Sequence, residues 1–177
     1  MNFLPRLSGL SGLTFLAGLA LAALLTLTAP AAHAQAFSDY IENKVVDLLV
    51  RNQAFTPPAT TYVALATGAC ADTGITGEVS GNGYARVAVA SALANWAGTQ
   101  GAGTTAASTG TGGQTSNNAT ITFAVPSGSW GTVATWALFD AASAGNLLLC
   151  AALTANQTIS TGNTVSFAAG ALTLTVQ

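Results

Sequence analysis

The chain has 177 residues, enough for one domain; half of them are hydrophobic and only 6% are charged. An average soluble domain is about a quarter charged. Four lysines and arginines cannot build the basic groove that nucleic acid requires, and the high apolar content excludes disorder driven by charge.

Residues 1–34 have the layout of a secretory signal peptide. Arg6 precedes an apolar run at residues 13–27, which is short for a membrane span, and residues 32–34 form a small-x-small cleavage site. Cleavage there, or after Ala36, would remove the segment; an uncleaved membrane anchor is the alternative. We therefore expect a bacterial protein that passes through the periplasm and is secreted to the medium or the cell surface.

Removal of this segment changes the chemistry that is available. It takes away His33, the only histidine, and with it the serine or cysteine mechanisms that need a histidine base and the commonest zinc ligand. Nine charged residues remain, six of them acidic. The sequence therefore predicts a protein that is not an enzyme, has no resident cofactor or nucleic-acid partner, and does not enter a membrane after cleavage.

The mature chain keeps both cysteines, Cys70 and Cys150. Export places them where disulfides persist, and a bond between them would close a loop of about 80 residues, worth roughly 4 kcal/mol on the chain-entropy account. Two separate thiols are the alternative, because Cys150 lies in the apolar run at residues 147–152, where a buried free cysteine is ordinary. The sequence alone leaves both arrangements open.

One helix is predicted, over residues 39–53. Asp39 and Glu42 have the spacing of a capping box, and prolines at 57 and 58 end the helix. Its apolar residues recur at helical spacing and predict one stripe opposite a wet face: Ile41, Val45, Leu48 and Leu49. Residues 35–58 thus form an N-terminal helix with a proline linker.

The remaining chain has the pattern of short strands separated by turn residues. The predicted strands are residues 61–67, 84–89, 120–125, 132–139, 146–153, 164–167 and 172–176. This spacing predicts a mainly β domain over residues 59–177, an antiparallel, jelly-roll-like β-sandwich of about seven strands. Residues 98–118 are low-complexity Gly, Thr, Ser and Asn, and are predicted to form a long exposed loop.

Few side chains offer a binding site. Trp96, Trp130 and Trp136 could form a stacking surface for a glycan, although tryptophans in a sandwich of this size more often pack in the core or at its rim. Asp72 and Glu78, with backbone carbonyls from the glycine-rich stretch, could hold one calcium ion, but no known calcium-binding spacing is present. The alternative is that both are solvated loop acids.

Several blocks of the mature chain, taken in order, resemble a family of small phage and prophage tail-fibre or minor tail proteins. These blocks are AFSDYIENKVVDLLV, TPPATTYVALAT, GEVSGNGYARVAV, the pair Asn95-Trp96, ITFAVPSGSWGTVATWALFDAASAGNLLLCAALT and TISTGNTVSFAAGALTLTV. The resemblance implies a compact β domain that assembles with itself or with other tail parts, with no enzyme activity and no cofactor. The chain departs from the family in its export signal and in Cys150, where the family usually has an aromatic residue.

These observations favour a secreted structural protein that self-assembles into an extracellular filament, tube or surface layer. Soluble monomers avoid association partly through surface charge, which this chain lacks. The helix with its proline linker and the last strand, residues 171–176, are the expected docking elements, because chain ends can add to sheet edges. The alternatives are a virion tail component, or an adhesin that binds glycans through the tryptophans and the 98–118 loop.

Overall fold

The computed structural model describes the backbone of residues 24–27 and all of residues 37–175. The rest of the predicted signal peptide, including both cleavage sites, lies outside the described residues. No helix in the described part is long and apolar enough to cross a bilayer. The elements are β1 (Leu24–Leu27), α1 (Asp39–Val50), β2 (Thr60–Ala66), β3 (Cys70–Ala71), β4 (Gly74–Ile75), β5 (Val87–Ala90), β6 (Gln114–Ser116), β7 (Ile121–Thr122), β8 (Gly131–Phe139), β9 (Leu147–Ile159), β10 (Thr164–Phe167) and β11 (Thr173–Thr175).

The largest sheet has four antiparallel strands in the order β5-β2-β8-β9. β2 and β8 lie in its interior and are buried on both faces over much of their length, which their continuous apolar runs require. The turn from β8 to β9 is closed by Asp140, whose carboxylate accepts hydrogen bonds from the amide and the side chain of Asn146, each at 2.7 Å. Gly145 has a φ of 75° there, which a glycine adopts without strain.

Three smaller sheets complete the domain. β7 pairs antiparallel with β10, β6 pairs antiparallel with β11, and β3 pairs antiparallel with β4. β1 lies parallel to β10 on the edge opposite β7. This parallel pair joins a segment of the predicted signal peptide to the β domain.

One apolar core lies between the four-stranded sheet and the smaller sheets. Trp136 of β8 meets Phe167 of β10 with ring centroids 6.5 Å apart, and both side chains are fully buried. The other large members come from both layers: Val63, Leu65, Val133 and Ile159 from one, and Ile121, Val165, Leu172 and Leu174 from the other. The predicted mainly β, antiparallel fold with one N-terminal helix is confirmed, with two layers that share a core.

The strands differ in detail from the prediction. β9 continues to Ile159, six residues beyond the predicted end, because its polar second half pairs with the start of β8. β6 lies inside the predicted 98–118 loop, where Gln114–Ser116 pairs with β11. The loop is therefore shorter than predicted, and it ends where a long-range partner supplies hydrogen bonds that the local sequence does not indicate.

Candidate functional site

Ser38 ties the start of α1 to the four-stranded sheet. The buried Ser38 caps the helix by accepting a hydrogen bond from the Ile41 amide at 3.4 Å. The same hydroxyl donates to the carbonyl of Leu147, and the Ser38 amide donates to the carbonyl of Leu148 at 3.1 Å. The cap is therefore Ser38 rather than Asp39, and it also ties the helix to β9.

Beyond this anchored first turn, α1 stands away from the domain. None of its residues, Asp39–Val50, is buried, and only Tyr40 and Ile41 pack against the core. Leu49 is 75% exposed and Val50 is 80% exposed. An amphipathic helix normally buries its apolar stripe, but within one chain the predicted stripe is covered only at Ile41. We call Val45, Val46, Leu48, Leu49 and Val50 the exposed helix face.

An apolar groove opens beside the base of α1. Its volume is about 330 Å³. Chain on both sides of the helix contributes to it, together with β9, β11 and the segment after β5; its walls include Phe37, Ile41, Phe55, Pro58, Trp96 and Leu149. Ile41 lines the groove and precedes Val45 of the exposed helix face by one helical turn, so the groove and the face are neighbours on the surface.

Of the three tryptophans, only Trp96 is accessible. Trp136 is fully buried, and Trp130 is 5% exposed, with its indole N–H donating to the carbonyl of Asn82 at 3.1 Å. A glycan surface built from all three tryptophans is therefore excluded, because Trp130 and Trp136 pack in the core, as is more usual in a sandwich of this size. Half-buried Trp96 lines the apolar groove instead.

The predicted calcium ligands are not both free. Arg86 binds Glu78 through two hydrogen bonds of 2.7 Å, donates to two backbone carbonyls, and stacks over the ring of Phe139 with its guanidinium carbon 3.6 Å from the centroid. Glu78 thus serves a salt bridge, while Asp72 is exposed in the loop after β3. The described residues contain no group of three or more His, Cys, Asp or Glu side chains placed to hold a metal ion.

A disulfide joins Cys70 of β3 to Cys150 of β9. Their Cα atoms are 5.7 Å apart, within the range that the bond requires. The bond fixes the β3–β4 hairpin to the four-stranded sheet, beside a second small apolar cluster with Ala64, Ala137 and Phe139. Of the two arrangements that the sequence left open, the structure has the bonded one.

Comparison with known protein families finds a match over most of the chain. Residues 36–175 match the family described as podophage GP4 fiber I protein gp80. The chain belongs to this family of phage fibre proteins. The predicted resemblance to tail-fibre proteins is thereby confirmed. Among curated proteins, a search finds no match.

The family match covers every element of this fibre protein from α1 to β11, so the exposed helix face and the groove belong to the shared domain. A phage tail-fibre-like structural role follows.

Sequence reasoning missed the exposure of α1, although one signal was present. Val46 and Val50 widen the apolar arc beyond the predicted stripe, more than contact along one side of a helix would need.

Proposed function

We propose that the chain is exported from a bacterial cell and assembles with copies of itself into an extracellular filament, tube or surface layer. In this role it acts as a structural subunit, with no catalytic step and no cofactor. Membership of the fibre family supports the structural part of the proposal. Self-assembly is supported by the exposed helix face and the scarcity of charge, and export by the leader and the disulfide.

The exposed helix face carries the proposal. Burying a leucine or valine side chain stabilises a protein by about 1.5–3 kcal/mol relative to leaving it in water. A lone chain leaves Leu49, Val50 and their neighbours in solvent, next to an apolar groove. A second copy that brings its own helix face to this region would cover both surfaces at once.

The scarcity of charge supports the same conclusion. From residue 59 to the end of the chain, the only charged residues are Asp72, Glu78, Arg86 and Asp140. Glu78 and Arg86 neutralise each other in a salt bridge. Little net charge is left on the β domain to repel another copy of itself.

Export is supported by the leader and by the disulfide. Disulfides persist in the periplasm and outside the cell, and are rare in the cytosol. The bond between Cys70 and Cys150 suits a chain that folds after it leaves the cytosol.

The test is to express the full chain with its own leader, recover the exported protein and determine its mass. Negative-stain microscopy and sedimentation velocity then report whether it forms regular polymers. We expect the natural sequence to form polymers. Leu49→Lys should raise the critical concentration for assembly at least tenfold, which corresponds to about 1.4 kcal/mol per subunit.

Asn156→Lys is the matched control, because it adds the same charge to an exposed position on β9, outside the exposed helix face. It should assemble normally. A natural chain that remains monomeric at high concentration would overturn the proposal, and so would equal effects of the two lysine variants.

A further inference from the structure

β10 depends on the predicted signal peptide for one of its two neighbours. On one edge it pairs with β7, and the carbonyl of Val165 accepts a hydrogen bond from the Phe123 amide at 2.9 Å. On the other edge all four of its residues are in parallel register with Leu24–Leu27. We call this second side the outer edge of β10.

The backbone groups on the outer edge can be assigned from strand geometry. The peptide groups of successive residues in a strand point to opposite edges. Because Val165 points to β7, Thr164 and Ser166 direct their N–H and C=O groups to the outer edge. Within residues 37–175, no strand pairs with that edge. Loss of residues 1–34 therefore leaves these groups without a strand partner.

We infer that the outer edge of β10 is a strand-accepting site that takes a strand from a second copy of the chain once the leader is gone. This inference rests on the proposed export and self-assembly. The pairing with Leu24–Leu27 shows that an uncharged, mainly apolar segment fits the edge in register. Recognition of this kind works through main-chain hydrogen bonds, so the incoming strand need not share that sequence.

The edge is held ready for a partner by the core beneath it. Val165 and Phe167 are fully buried, and Ser166 is nearly so. The ring centroids of Phe123 and Trp136 lie 6.4 and 6.5 Å from that of Phe167, so packing that does not involve the leader holds β10 in an extended conformation. A pre-ordered acceptor loses less conformational entropy when a strand binds, which strengthens binding.

The edge also lacks the usual protection against pairing. Natural edge strands carry charged residues, prolines or bulges that block a second chain. The chain has no charged residue after Asp140, and β10 has no proline. Nothing in the charge pattern repels another copy, which makes a second copy the occupant that this edge fits best.

The experiment uses the exported chain, whose mass shows whether residues 24–27 have been removed. Hydrogen exchange at residues 164–167 is measured in assemblies and in the Leu49→Lys variant as the unassembled reference. The probe is a synthetic peptide with the sequence of residues 23–29, ALLTLTA. The matched control peptide carries Leu25→Pro and Thr26→Pro and cannot form a strand.

We expect exchange at the Thr164 and Ser166 amides, which face the outer edge, to be roughly tenfold slower in assemblies than in the unassembled variant. The natural peptide should slow exchange in the variant and shorten the assemblies of the natural chain, while the proline peptide should do neither.

Assemblies whose Thr164 and Ser166 amides exchange as fast as in the variant would overturn this inference and leave the proposed function standing. A chain that stays monomeric, even if the peptide protects β10, would overturn self-assembly and with it the second copy as occupant. A mature mass that retains residues 24–27 would also overturn the inference, because the edge would stay filled within one chain.

Discussion

Tyr84 lies where β2 meets the segment before β5. Its hydroxyl accepts a hydrogen bond from the Leu65 amide at 2.9 Å and donates to Glu78 at 3.3 Å, and its ring meets Trp130 edge-on at 5.3 Å. Burial raises the pKa of Tyr84 well above its usual range, and the nearby Glu78 raises it further. The Leu65 amide and Arg86 act in the opposite direction and are outweighed.

The raised pKa of Tyr84 predicts a loss of stability in alkali. An unfolded tyrosine loses its proton above a pH of about 10, whereas the folded chain keeps it. The contribution of Tyr84 is therefore fully present below that pH and declines as the pH rises above it. Tyr84→Phe should unfold more easily at pH 7 by about 1–2 kcal/mol, because the Leu65 amide loses its acceptor. The difference in unfolding free energy between the natural chain and Tyr84→Phe should become smaller above pH ~10.

Urea unfolding at pH 7 and in alkali measures both effects. Tyr62→Phe on β2 removes the same atom and serves as the control. If the difference in unfolding free energy between the natural chain and Tyr84→Phe stays constant with pH, the raised pKa of Tyr84 is contradicted.

At the scale of elements, the hydroxyl of Ser38 both caps α1 and ties its first turn to β9. Ser38→Ala removes both the cap and the donor to the buried Leu147 carbonyl. We expect the free energy of unfolding to fall by about 1–2 kcal/mol. Helical circular dichroism should also weaken, because the first turn loses its anchor.

Ser143→Ala is a matched control, since the same group is removed from an exposed position in the turn after β8. It should leave both measurements unchanged. If the two alanine variants behave alike, Ser38 does not hold the helix.

Sequence patterns predicted those elements whose signal is local. The bounds of β2, β8 and β10 follow from strand-forming runs set between turn residues. α1 begins at the predicted residue but ends at Val50, three residues early and well before the prolines, where Asn52 adopts a φ of 53°. Sequence patterns missed β6 and the second half of β9. Their residues are polar, and they form strands because they pair with β11 and with the start of β8. Local propensity cannot supply that information.

The candidate site was less predictable than the fold. Periodicity indicates which side of a helix is apolar, but not whether anything in the same chain covers it. The exposure of Leu49 therefore emerged only from the structure. The burial of Trp130 and Trp136 likewise depends on the packing of the two layers against each other. The Cys70–Cys150 bond depends on the distance between the two Cα atoms, which the separation in sequence does not give.

At the scale of the whole molecule, the disulfide predicts a large stability difference between oxidised and reduced chains. Cys70→Ala combined with Cys150→Ala should lower the free energy of unfolding by about 4 kcal/mol. The natural chain measured in reductant should approach the double variant, and the variant itself should not respond to reductant. Urea unfolding under both conditions gives the comparison; stability that is equal with and without reductant would show that the bond does not act as a restraint.

The same bond matters for a subunit that bears tension. Force that enters through α1 reaches the four-stranded sheet at Ser38, close to where β9 carries Cys150. Cys70 and Cys150 are 80 residues apart in the chain. At about 3.4 Å per extended residue, the disulfide shortens the maximum length of a stretched subunit by roughly 270 Å. In the reduced state a stretched domain can extend over its whole length, whereas in the oxidised state only the chain outside the two cysteines can extend, so a filament of such subunits would lengthen less under load.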